Sequence, residues 1–259
     1  MISLLEAAWW VNRFERPDLD TAPYETAVDA MAARLRDAAT AEGGAVELAA
    51  GLRMVMHVTH GFRGDEQDYH DPDNSYLDRV MDRRRGIPIS LSILAVEIVR
   101  RAGHVAEGIA FPGHFLVRLE AGGTRCLVDP FGGCLVVTDA DLRGLLARVM
   151  GAGSMVTAAM TAPAPPAAVA RRMLNNLKGN YLRSGDLTRA LRTLDAILTL
   201  APDDPVERRD RGLVREALEH DGGALDDFEA FLDALPDADD ANAIRARLAP
   251  LRIRLSQWN

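Results

Sequence analysis

The sequence predicts an α+β domain followed by an all-α array of helical hairpins, and three observations carry that reading. Up to Gly103 the apolar residues recur at helical spacing. From Val105 to Val137 they alternate with a period of two, and after Pro166 helical spacing returns with an internal repeat. A chain of 259 residues has room for one or two such domains.

The helical part comes first. Tyr24, Val28, Met31 and Leu35 form one face of a helix, and residues 48–58 form a second, more apolar one that stops near Gly61. A polar stretch, 61–74, holds Gly64, Asp71-Pro72 and Asp73-Asn74 and reads as loop. Asn74 or Ser75 is placed to cap a short helix over 76–83. Ser90 is the expected N-cap of an apolar helix over 91–101 that ends near Gly103. Strands are expected over 105–111, 115–119, 125–129 and 134–137, separated by Gly- and Pro-containing turns, with a helix from Asp139 to about Met150. Residues 151–166, rich in Ala, Pro and Thr, read as a linker. The domains expected are therefore 1–155 and 167–259.

Composition narrows the function classes. Hydrophobic residues at 48% and charged residues at 26% are the balance of a globular chain, which excludes disorder or collagen for its bulk. A net charge of −8 argues against a constitutive nucleic-acid or anionic-membrane surface. Two cysteines allow one disulfide at most. No run of about 18 apolar residues occurs, and Glu6 interrupts the apolar start in place of a signal-peptide core. The expected location is the cytoplasm.

Four groups of residues bear on chemistry. Ser90 opens a helix, and His114 and Asp129 lie on successive strands, an order that suits a nucleophile, a base and a group that orients the base. A helix cap, a strand histidine and an Asp before a Pro turn explain the same three residues structurally. Cys126 and Cys134 flank a turn and read as small apolar thiols. Cys126 lies an odd number of positions from Asp129, on the opposite face of a regular strand. His57, His60 and His70, with Asp71 and Asp73, lack the spacing of a metal site, so no metal or other cofactor is expected. Arg83, Arg84 and Arg85 read as an ion-paired helix end, and no phosphate-binding glycine loop accompanies them.

The C-terminal part repeats itself. Pro202 and Pro236 are 34 positions apart, as are Ala190 and Ala224, and Leu194 and Phe228; Tyr181 and Gly212 precede the two alanines. This period resembles the tetratricopeptide repeat, a helix–turn–helix unit. Lys178 and Arg215 depart from its usual small and aromatic residues, and a helix over 241–255 would cap the array.

The stretches Gly86-Ile-Pro-Ile-Ser-Leu-Ser-Ile-Leu94, Arg100-Arg-Ala-Gly103, Phe111-Pro-Gly-His-Phe115 and Val128-Asp-Pro-Phe131 resemble the transglutaminase-like core of the papain-like group. With Gly61-Phe-Arg-Gly-Asp-Glu-Gln-Asp-Tyr69 and Asp71-Pro-Asp-Asn-Ser-Tyr-Leu77, the chain is similar to the bacterial SirB family, which joins that core to tetratricopeptide repeats. The resemblance implies a Cys–His–Asp site in which His114 and Asp129 match the second and third positions. A gapless reading puts the Cys position at Pro88, which has no nucleophile. The resemblance thus implies a pseudoenzyme that binds protein or peptide through its repeats. The alternative is an acyl-transfer or hydrolytic enzyme using Ser90, His114 and Asp129, and a structural or regulatory subunit is a third reading.

Overall fold

The computed structural model describes residues 2–38 and 43–257. It divides into two compact units, Met1–Met173 and Leu174–Asn259.

In the first unit the chain runs through α1 (Leu4–Glu15), α2 (Ala22–Ala38) and α3 (Ala45–Arg53), which continues as a π-helical turn, Met54–Thr59. Then come β1 (Arg63–Gly64), a 3₁₀ turn Pro72–Asn74, α4 (Leu77–Arg83), β2 (Arg85–Gly86) and α5 (Pro88–Arg101). The meander β3 (Val105–Ile109), β4 (Leu116–Ala121), β5 (Thr124–Asp129) and β6 (Leu135–Val137) follows, and α6 (Asp139–Met150) closes it. The four strands form one antiparallel sheet in sequence order, while β1 and β2 pair in parallel, Gly64 opposite Gly86.

Helix α5 is the hub. Leu91, Ile93, Leu94, Ala95, Val96, Ile98 and Val99 are all buried, because α5 packs against α1, α2, α4, β3 and β4. A helix apolar on every side belongs inside a core rather than on its surface. It starts earlier than Ser90: Ile87 is the N-cap, and Pro88 occupies the first turn. Proline suits that position, since its fixed φ is helical and its missing N–H would have had no partner there. Ser90 is consequently the third helical residue rather than the cap. The expected helix over 48–58 is likewise divided. Its first part is α-helical, and its second closes with the wider π turn.

The segment expected to be a linker is bonded to the sheet. The Ala164 amide donates to Gly108 O at 2.8 Å, Ile109 and Pro163 form an antiparallel bridge, and Arg118 Nη2 donates to Thr161 O. The outer edge of β3 has open backbone groups, and this segment satisfies some of them. None of the described helices is long and apolar enough to cross a membrane.

The boundary between the units falls within α7 (Pro166–Ser184). Beyond it lie α8 (Leu187–Leu200), α9 (Pro205–Ala217), α10 (Asp221–Ala234) and α11 (Ala241–Ser256). These helices pack in succession, α8 on α9, α9 on α10 and α10 on the terminal α11. Ala190 and Ala224 are fully buried, as the close approach of paired helices requires. The residues that depart from the usual repeat pattern are matched by ion pairs. Lys178 Nζ lies 2.6 Å from Glu207 and 3.0 Å from Asp210. Arg215 lies 2.9 Å from the buried Asp227, which Arg211 also grips at 2.7 Å.

Gly212 is in direct register with the Phe228 ring: a Cβ built there would lie 2.6 Å from it. Gly212→Ala is therefore expected to destabilise the repeats by about 1–3 kcal/mol through overpacking. A lowered thermal midpoint of the full chain would show it, and an unchanged midpoint would contradict the close approach.

Candidate functional site

The site is built around the corner where β3 turns into β4. Residues Phe111 to His114 form a turn closed by the His114 amide donating to Phe111 O at 3.0 Å, and Gly113 takes the positive φ of +69° that the turn needs. A side chain at Gly113 would meet Val149 of α6 at 2.4 Å, so α6 covers this turn closely.

The turn delivers His114 to Asp129 at the end of β5. Nε2 of His114 lies 2.9 Å from Asp129 Oδ2, at ion-pair distance but without the alignment of a hydrogen bond. The other carboxylate oxygen accepts the Phe131 amide at 3.0 Å, which fixes the carboxylate and starts the next turn. The Phe131 ring meets the His114 imidazole edge to face, with centroids 6.2 Å apart, and Tyr69 meets Phe131 in the same way at 6.0 Å. Phe131 reaches this position because Gly64 has no side chain, since a Cβ there would lie 2.6 Å from the ring. The β1–β2 pairing thus ties the Phe131 ring, through Gly64, to the short strand that leads into α5.

Ser90 has other partners. Its hydroxyl accepts from the Ile87 amide at 3.1 Å and donates to Asn74 O at 2.7 Å, and the side chain is fully buried. Structure therefore brings His114 and Asp129 together, while the Ser90 hydroxyl is engaged by backbone groups.

Cys134 is also buried next to Asp129, with its amide donating to Asp129 O at 2.7 Å, and burial pushes its thiol well above the usual range. Cys126 is half-buried, its Sγ 3.3 Å from Ala45 O, and burial raises it too. Both are free thiols, and a raised thiol is a poor nucleophile.

Among the described residues no three His, Cys, Asp or Glu side chains converge as metal ligands. His60 Nδ1 lies 2.8 Å from Val55 O, and His70 packs edge-on against Tyr69. Asp71 caps the 3₁₀ turn and pairs with Arg83 at 2.8 Å. Arg83 also reaches Asp65 and Asp73, so the cations of the basic run answer the acidic loop, while Arg84 stacks over Phe62.

One side chain at the site, unlike His57, was not singled out by the sequence. Arg172 of α7 donates to Phe111 O and His114 O from 58 or more positions away. The one available hint was an arginine beside the apolar run Val169, Ala170, Met173 and Leu174, all of which are buried. His57 sits on the π turn, half-buried.

A family model described as the transglutaminase-like superfamily matches residues 22–175, and one described as tetratricopeptide repeat matches 177–249. A UPF0162 protein of Xylella fastidiosa is 34% identical, covering 96% of this chain and 90% of its own. Protein SirB1 of Salmonella typhimurium is 30% identical, over 76% of this chain and 73% of its own. The chain belongs to the SirB family of transglutaminase-like proteins. Another UPF0162 relative, from Vibrio cholerae, is 33% identical over 74% of this chain and 71% of its own. No solved structure matches. In SirB terms, the α+β unit is the transglutaminase-like domain, and the hairpins that follow are its tetratricopeptide repeats.

His57 supplies a pH test of this corner. Burial is the main cause that lowers its pKa below the ordinary 6.5, helped by Arg53 and opposed by the Phe62 and Pro130 carbonyls and by Asp129. The unfolded chain then binds more protons below pH 6.5, so stability falls as pH drops through that value and the loss is complete below the folded-state pKa. His57→Gln is expected to lose this part of the pH slope. Denaturant midpoints at pH 7.5 and 5.5 measure it; equal slopes for the two proteins would refute the assignment.

Proposed function

We propose that this SirB protein is a non-catalytic, cytoplasmic binding module. In this reading the repeats recognise a protein or peptide. The observation that carries it is the Ser90 hydroxyl, which donates to Asn74 O and is fully buried; a gapless reading of the family resemblance adds that Pro88 stands where the nucleophile is expected. A serine nucleophile needs its proton delivered to a base, and here the proton points to a backbone carbonyl. The retained His114–Asp129 pair then serves recognition: an imidazole oriented by a carboxylate presents a directed polar group beside the Tyr69 and Phe131 rings. The tetratricopeptide match supports a protein partner, since helical-repeat arrays present extended binding surfaces. Two free thiols fit a reducing compartment.

Restoring the missing group tests the reading. The resemblance places the buried Pro88 where the family's cysteine meets its histidine, so Pro88→Cys is expected to gain a thiol that iodoacetamide alkylates at pH 6 about tenfold faster than in a Pro88→Cys/His114→Ala background. The wild-type chain is expected to hydrolyse neither esters nor glutamine amides. In parallel, cross-linking of the full chain to its partner should map to α7–α11. Turnover that either Ser90→Ala or His114→Ala abolishes would make the protein an enzyme, and equal alkylation in the two backgrounds would show that the pocket is not preserved.

A further inference from the structure

We propose that Arg172 is the positioning residue of the His114–Asp129 pair, clamping the turn that carries the imidazole. The inference rests on reading that pair as the recognition group of the site.

Arg172 Nη2 donates to His114 O at 2.7 Å and Nη1 to Phe111 O at 3.2 Å. These carbonyls belong to the first and last residues of the Phe111–His114 turn, so one planar guanidinium bridges both ends. Its fork matches two fixed acceptors in a way that a single ammonium does not. The guanidinium also lies 5.6 Å from the centroid of the Phe115 ring, next in the chain after His114. Val149 closes the same turn over Gly113.

The chemical setting is unlike that of Arg101 and Arg211, whereas Arg100, like Arg172, donates to a backbone carbonyl, Ala106 O. Arg101 pairs with Glu25, Asp29 and Glu97, and Arg211 pairs with Asp195 and Asp227. The two hydrogen-bond partners of Arg172 are carbonyl oxygens, which carry only partial charge. Burial lowers its pKa, and the facing Tyr69 opposes that shift only in part. A half-buried cation held by neutral acceptors is a weak contributor to stability. Its placement is accounted for by what it holds, the backbone on either side of the site's imidazole.

The test reads the imidazole itself. Full-length protein with ¹⁵N-labelled histidine is examined at high pH in wild type, Arg172→Lys and Arg172→Gln. Methyl shifts of Ile93 and Leu94 report whether the α5 core is intact. In wild type, His114 is expected to show one sharp ring-nitrogen pattern, set by a single imidazole position 2.9 Å from Asp129. Both variants should keep the core shifts and lose this pattern, giving averaged tautomers or an exchange-broadened signal, with lysine retaining more of it than glutamine. An unchanged His114 pattern in a folded variant overturns the proposal. Failure of both variants to fold also overturns it, since Arg172 would then be a core residue and nothing more. No ligand is present in this measurement, so it can fail while partner cross-linking succeeds, and the reverse.

Discussion

The Ser90 hydroxyl accepts from the Ile87 amide at 3.1 Å and donates to Asn74 O at 2.7 Å, so one side chain ties its own helix start to a loop 16 positions earlier. One end secures the first turn of α5, the helix around which the first unit packs. The other anchors the loop that carries Asn74 and leads into α4. Each bond contributes about 1 kcal/mol net, but a buried hydroxyl without partners would cost about 1–3 kcal/mol, so the site tolerates little rearrangement. The same constraint governs function. A hydroxyl that satisfies buried backbone groups is unavailable to a base, and Pro88, two residues earlier, brings no side-chain donor or acceptor of its own.

Around this anchor the polar residues of the first unit hold backbone more than they hold each other. Asn12 reaches Asp78 Oδ1 at 2.7 Å and accepts the Leu77 amide at 3.2 Å, fixing the start of α4 to α1. Asp129 receives the Phe131 amide on one oxygen and faces His114 with the other. The second unit is organised differently. There Asp227, itself buried, is neutralised by Arg211 and Arg215, and Lys178 by Glu207 and Asp210. Such networks lose much when one partner is removed and specify helix register more than they add net stability.

Much of this was legible in the residues. The change of period after Gly103 foretold the helices-then-meander order, and the 34-residue spacing foretold the hairpins, because both are local patterns. Ser90 illustrates where local rules compete: serine prefers the N-cap, but Pro88 at N1 moved the helix start to Ile87 and made Ser90 the reciprocal acceptor. The π turn in 54–59 was hidden because apolar spacing does not distinguish i→i+4 from i→i+5 bonding. An Ala- and Pro-rich composition suggested a linker over 151–166, yet Ala164 is bonded to β3. Arg172 was missed for a simpler reason, since its partners lie a whole sheet and helix away in sequence.

The most direct measurement is covalent labelling of the purified full chain with a fluorophosphonate, read by intact mass and peptide mapping. The account predicts no adduct on Ser90, with wild type and Ser90→Ala indistinguishable. An adduct on Ser90 that disappears in His114→Ala would contradict it and make the site a serine enzyme.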